Sequence, residues 1–265
     1  MNGGRATAEA AADPFLAFHQ ALQTRHLAAL TFSEVRRALQ ALSSVYVERR
    51  HRLADGAALD GAGKRAAFAL YYGPLHFLLV REIVRALGPA VRRPGLVLDL
   101  GCGTGTAGAA WALECASQAS VEGVDTSGWA VAEAQWTLRQ LGLRGRCRRG
   151  DATKAALPTR PAGILAAFTV NELDEGGRER LLPRLVEAAG KGSIVLVVEP
   201  LSRRTSPWWP EWAAATTATG GRADEWRFPA QLPDKLSLLG RGAGLETREI
   251  LGRSLLLGRE AASSP

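Results

Sequence analysis

Apolar residues follow two rhythms along this chain. Up to about residue 94 they recur every three or four positions, the spacing of one buried helix face. Phe15, Phe18, Leu22 and His26 mark a first helix from Pro14 to about Leu30. Thr31-Phe32-Ser33-Glu34 is a capping box, so a second helix is predicted from Phe32 to about Leu53, with Val35, Leu39, Leu42 and Val45 on one face. DGAALDGAG, at 55–63, reads as a loop. Lys64 to Leu87 is helical again, interrupted at Gly73-Pro74, because proline disfavours the α conformation in the residue before it. Three or four helices fit this third of the chain.

After Gly95 the period changes. Short apolar strands are predicted at 96–100, 121–125, 146–151 (weak), 162–170 and 193–199, separated by amphipathic helices at 106–117, 128–141 and 174–189. That alternation specifies an α/β, Rossmann-like, doubly wound and mostly parallel sheet with helices on both faces. The end differs: residues 246–259 read as two strands joined by a tight turn at Gly252, a C-terminal antiparallel hairpin. The chain thus divides into an all-helical N-terminal extension, 1–94, and an α/β domain, 95–265.

Charge sharpens the division. The formal net charge is +7, yet residues 1–94 hold 13 basic and 7 acidic side chains and the remainder is nearly balanced. Basicity in the helical third suits RNA or a ribosomal particle as partner. The dominance of Arg, with Lys only at 64, 154, 191 and 235, weakens that inference. No apolar run reaches the roughly 18 residues of a membrane span, and the first 15 residues lack the apolar core of a signal peptide. Cys102, Cys115 and Cys147 make neither a disulfide framework nor a metal-ligand spacing, so no metal site and a reducing, cytoplasmic setting are expected.

The chemistry concentrates where strands end. Asp99-Leu100-Gly101-Cys102-Gly103-Thr104-Gly105 follows the first strand and opens a helix, where glycines allow a tight turn and backbone N–H groups face a ligand. A nicotinamide-binding loop would place its third glycine at 106, where this chain has Thr106. Asp125-Thr126 ends the second strand, Gly150-Asp151-Ala152 follows the third, and Phe168-Thr169-Val170-Asn171-Glu172 ends the fourth. This ordered set resembles class I S-adenosylmethionine-dependent methyltransferases. The resemblance implies S-adenosyl-L-methionine as cofactor, with Asp99, Gly101, Gly103 and Gly105 among its binding residues. Asp125 and Thr126 would lie at the ribose, and Asp151 and Ala152 at the adenine.

Within that resemblance, Asn171 and Glu172 stand at the methyl-transfer mouth. Asn-Pro-Pro-Tyr, which orients amino groups of adenine, cytosine or glutamine in family members, is replaced by Asn171-Glu172-Leu173-Asp174, which disfavours those acceptors. Tyr72 and His76, in Tyr71-Tyr72-Gly73-Pro74-Leu75-His76, are the further catalytic candidates, against a buried structural histidine as the plain alternative. Trp208, Trp209, Trp212 and Trp226 suggest an aromatic lid over the pocket or a packing segment on the N-terminal helices. Tyr46-Val-Glu-Arg-Arg50, the 66–76 run, Asn171-Glu172-Leu173 and Val198-Glu199-Pro200 also resemble the methyltransferase-like proteins of the mitochondrial ribosomal small subunit and their bacterial relatives. The cysteine cluster of the mitochondrial members is missing here. Three readings stand: methylation of an N or O acceptor on rRNA or a ribosome-bound substrate, methylation of a small molecule, or a non-catalytic ribosome assembly factor.

Overall fold

A computed structural model describes residues 13–48, 59–201 and 206–258. Asp13 caps the first helix, α1 (Pro14–His26), by accepting the Phe15 N–H at 3.0 Å. The predicted box caps α2 (Phe32–Glu48): Glu34 N–H donates to Thr31 Oγ1 and Glu34 Oε2 accepts the Thr31 N–H. The predicted end of α2 near Leu53, and Arg49 and Arg50 of the Tyr46–Arg50 motif, lie outside the described residues.

The expected break at Gly73-Pro74 is a change of helical register instead. α3 (Ala62–Ala67) runs into a π turn, Phe68–Tyr72, and on into α4 (Gly73–Leu87) without leaving helical backbone. The Gly73 N–H reaches back to Phe68 O, one residue further than in an α-helix. The widened turn comes just before Pro74, whose ring crowds the preceding turn and which has no N–H to donate, and such π bulges are frequent at functional sites.

The remaining elements alternate as the sequence predicts. They are β1 (Leu96–Leu100), α5 (Thr106–Glu114), β2 (Ser120–Asp125), α6 (Gly128–Gln140), β3 (Gly145–Arg149), β4 (Gly163–Ala167), α7 (Glu175–Gly190) and β5 (Ile194–Glu199). α8 (Trp209–Ala218), β6 (Arg222–Pro229), α9 (Asp234–Gly242) and β7 (Glu249–Leu257) complete the chain. The seven-stranded sheet has the order β3-β2-β1-β4-β5-β7-β6, parallel except for β7, which runs antiparallel to both neighbours.

The C-terminal hairpin is corrected in its partners. Residues 249–257 form one strand, and its antiparallel mate is β6, with α9 between them in sequence. Gly252 makes no turn; it pairs with Trp226 in mid-strand. A Cβ there would lie 2.6 Å from Leu79 Cδ2, so this glycine admits α4 against the sheet.

Two apolar layers cover the sheet. On one face Phe15, Phe18, Leu39, Phe77 and Ile83 of the N-terminal helices share a core with Val97, Leu165 and Leu256 of the strands and Trp111 of α5. The core therefore runs across the 94/95 boundary that the sequence pattern marks. On the other face α7 and α8 pack through Leu181, Leu185 and Trp212 onto Ile164, Val197 and Leu255. Trp208 and Trp212 are neither a pocket lid nor a cover for the N-terminal helices, whereas Trp226 packs on the core that those helices share. Trp208 and Trp212 are buried edge to face at 5.0 Å on the α7 side of the sheet, and Trp226 stacks on Phe228 while donating to Ser254 Oγ. No described helix is long and apolar enough to cross a membrane.

Candidate active site

The carboxyl ends of β1, β2, β4 and β5, with α4 and the start of β7, enclose a cavity of about 630 Å³. That volume is in the range of pockets that bury a cofactor-sized molecule. Gly101, Cys102, Gly103 and Thr104 form one wall, with Asp125, Thr126 and Ser127 beside them. Gly101, Gly103 and Gly105 all have positive φ, +71°, +51° and +75°. Gly101 is required twice over, since a Cβ would also meet Thr169 Oγ1 at 2.4 Å.

Asp125 organises this wall. Its Oδ2 accepts the Gly103 N–H at 2.9 Å and its Oδ1 the Ser127 N–H at 2.8 Å, tying the glycine loop to the start of α6. Each oxygen keeps a further lone-pair site for a ligand hydroxyl.

Several expected contact residues stand behind the wall rather than in it. Asp99 is buried and accepts the Gly108 N–H at 3.0 Å, bracing the first turns of α5, and burial raises its carboxyl to about 7. Gly105 packs against Ala134 of α6. Asp151 turns on its own loop, with Oδ1 accepting from the Thr153 N–H and hydroxyl; that hydroxyl bond, above all, holds its carboxyl below the usual range. Neither Asp151 nor buried Ala152 lines the cavity.

The opposite end is aromatic and acidic. Phe68, Tyr72 and His76 recur every fourth residue and line one side. Across from them stands Phe168, whose ring stacks on His76 at 3.6 Å between centroids. Protein surrounds the imidazole on all sides except the cavity, and this burial lowers its pKa to about 3, leaving it neutral. Burial, with Tyr71 adding to it, raises the Tyr72 phenol to about 12, so it stays protonated.

Asn171 and Glu172 sit at the mouth in a 3₁₀ turn, Val170–Glu172. The Asn171 carboxamide oxygen is occupied from outside the cavity by Ser206 Oγ at 2.5 Å and Trp208 Nε1 at 2.9 Å. The Asn171 backbone N–H donates to Glu199 Oε1 at 3.1 Å. Glu199 ends β5 fully buried, its Oε2 without a hydrogen-bond partner, and burial raises its pKa to about 8. Among the described wall residues Asp60, Asp125, Glu172, Glu199 and Glu249 carry carboxyl groups, while Arg65 is the one guanidinium or ammonium.

Sequence reasoning did not single out Phe68, Phe168, Glu199 or Glu249 as site residues. The i, i+4, i+8 spacing of Phe68, Tyr72 and His76 was a usable signal, as was a glutamate closing the apolar strand IVLVVE. Glu249 carried none, because it depends on how far β7 runs past the end of β5.

The sheet order, the reversed seventh strand and the glycine loop beneath one cavity define the class I methyltransferase fold. Residues 97–192 match the family described as a methyltransferase domain. The plantazolicin methyltransferase BpumL, solved with S-adenosylhomocysteine, is 14% identical with a TM-score of 0.50, over 91% of this chain and 99% of that one. The mitomycin 7-O-methyltransferase MmcR is 17% identical with a TM-score of 0.51, over 94% and 74%. Both share the fold. No curated protein matches the chain. The resemblance to mitochondrial ribosomal proteins finds no support in these comparisons.

Proposed function

We propose that this enzyme methylates an N or O atom of a small organic acceptor. The observation that carries this reading is the cavity wall itself. A floor of Phe68, Tyr72, His76 and Phe168 ringed by carboxyl groups, with Arg65 as its cation, favours an apolar or amine-bearing molecule and repels phosphate. Arg25 and Arg81 of the basic third are engaged by Glu133 and Asp13, and Arg85 by Glu82 and Glu114, which lessens their availability to RNA.

The residues present fit the cofactor. The loop from Gly101 to Thr104 leaves backbone room, and Asp125 presents acceptors to a ribose that carries no phosphate. Gly101, Gly103, Asp125 and Thr126 are its proposed contacts, with Asp99 and Gly105 as supports of the loop. When bound, S-adenosylmethionine supplies an electrophilic methyl group for in-line displacement. The chain's task is to position the acceptor and exclude water. Neutral His76 can take a hydrogen bond from an acceptor N–H or O–H, and Tyr72 can donate one. Both groups are catalytic candidates for aligning the nucleophile.

Calorimetry with S-adenosylmethionine and S-adenosylhomocysteine should show binding of both. Retention assays with rRNA over a salt series then test the acceptor class. Weak, salt-insensitive retention supports a small acceptor. Tight retention falling steeply with salt, the signature of counterion release, would instead establish RNA as the substrate.

A further inference from the structure

Cys102 lies in the cavity wall between two glycines of the loop, and Cys147 lies in β3, on the far side of β2. Both side chains lean over Gly123 of the intervening strand. A Cβ at Gly123 would stand 2.7 Å from Cys147 Sγ and 2.8 Å from Cys102 Sγ, so the absent side chain leaves the space in which the two sulfurs converge. We propose that Cys102 and Cys147 form a reversible disulfide that locks the cofactor loop out of its binding conformation.

The chemistry of the pair is asymmetric. The neighbouring Cys147 sulfur, together with burial, raises the Cys102 thiol well above the usual thiol range, and the same pairing lowers Cys147. Cys147 is only partly buried, so it is the sulfur that outside reagents reach first. Its thiolate attacks a low-molecular-weight disulfide RSSR, forming a mixed disulfide and releasing RS⁻. Cys102 then gives its proton to that thiolate and its sulfur displaces the second RS⁻, which leaves as RSH after taking a proton from solvent. Two electrons pass to RSSR, giving two RSH and one protein disulfide. Cys115 is buried at the end of α5 and takes no part.

The bond would act on the loop. A disulfide draws its sulfurs to about 2.05 Å, so Cys102 must move toward β3. Its neighbour Gly103 is held by Asp125 through a single N–H bond, and the Cys102 N–H is anchored to Val124 O at 3.0 Å. Shifting this stretch opposes the backbone arrangement that faces the cofactor. Linkage makes the effect reciprocal: bound S-adenosylmethionine shifts the thiol–disulfide equilibrium toward the reduced pair.

Purified protein is incubated with oxidised glutathione, then read by intact mass, peptide mapping and S-adenosylhomocysteine calorimetry. Loss of two hydrogens with a Cys102–Cys147 cross-linked peptide is expected, together with a roughly tenfold or greater loss of affinity that dithiothreitol restores. Cys147→Ser should keep its affinity under oxidation, and Cys115→Ser should respond like wild type, both with unchanged circular dichroism. Separate glutathione adducts without a cross-link, or a cross-link that leaves affinity intact, would overturn the proposal. Failure of the reduced protein to bind S-adenosylhomocysteine would instead count against the cofactor assignment, because the cross-link is scored by mass alone.

Discussion

The rings of Phe168 and His76 lie 3.6 Å apart between centroids and 13° from parallel, and Phe168 holds this position from a backbone φ of +59°. A bulky residue in the left-handed region costs on the order of 1 kcal/mol or more. The Phe168 N–H is fixed to Val198 O at 2.7 Å, so the carboxyl end of β5 holds the conformation and the ring lines the cavity. Phe168→Gly relieves the strain while Phe168→Ala retains it. In chemical denaturation the glycine variant should be the more stable by about 1 kcal/mol. Equal stability of the two would show that the backbone is unstrained.

Asp125 ties Gly103 and Ser127 through two backbone N–H bonds while facing the cavity. Hydrogen bonds to a charged group are worth about 1.5–3 kcal/mol. Asp125→Ala should therefore weaken S-adenosylhomocysteine binding by roughly tenfold to a hundredfold, measured by calorimetry. Asp125→Asn, which keeps one acceptor, should lose less.

His76 has a folded pKa of about 3 against an ordinary 6.5. Between those values the unfolded chain takes up a proton that the native chain refuses, so acid favours unfolding and stability is lost as pH falls below about 6.5. At pH 5 the penalty is on the order of 2 kcal/mol. His76→Phe keeps the stack and removes the titration. Its melting temperature should fall less than that of wild type between pH 7 and pH 5.

Glu199 carries the opposite sign. Its folded pKa of about 8 lies above the ordinary 4.5, so the native state retains a proton that the unfolded state gives up in that window. Stability attributable to this group declines as pH rises from about 4.5 to 8 and levels off beyond. Asp99, at about 7, declines in the same direction over a narrower range. The Glu199→Gln minus wild-type stability difference, in which Asp99 cancels, should grow between pH 5 and pH 8.5. A pH-independent difference would show that Glu199 is already ionised in the fold.

Gly252 and Leu79 are a packed pair: the missing Cβ would sit 2.6 Å from Leu79 Cδ2 and 3.1 Å from Cδ1. Gly252→Ala should destabilise the protein by about 1–3 kcal/mol through overpacking. Adding Leu79→Ala should recover part of that loss. A double-mutant cycle on melting curves reads the coupling.

The parallel strands, their helices and the capping box were legible because each is written in a short window. Asp13, Thr31, Ser127 and Asp174 all cap helices through bonds within three residues. The π turn was hidden because a register change of one residue leaves the apolar spacing of Phe68, Tyr72 and His76 almost unaltered. Gly252 was misread because a glycine that admits a distant leucine looks, in one dimension, like a glycine that turns the chain. Trp226 packs on the core of the N-terminal helices as expected, but Trp208 and Trp212 were misplaced for a related reason: composition shows that an aromatic segment must be buried, while the tertiary structure decides on which face.

By itself the sequence determined the class of fold and located the glycine loop and Asp125 at the strand ends, because backbone conformation depends on neighbours in the chain. Only the tertiary structure decided that Asp99 supports the loop from behind, that Glu199 is buried beside Asn171, and that Cys102 meets Cys147 over Gly123. Those outcomes rest on strand order and on side chains brought together from far apart. Burial then sets their protonation, and burial is a property of the assembled core.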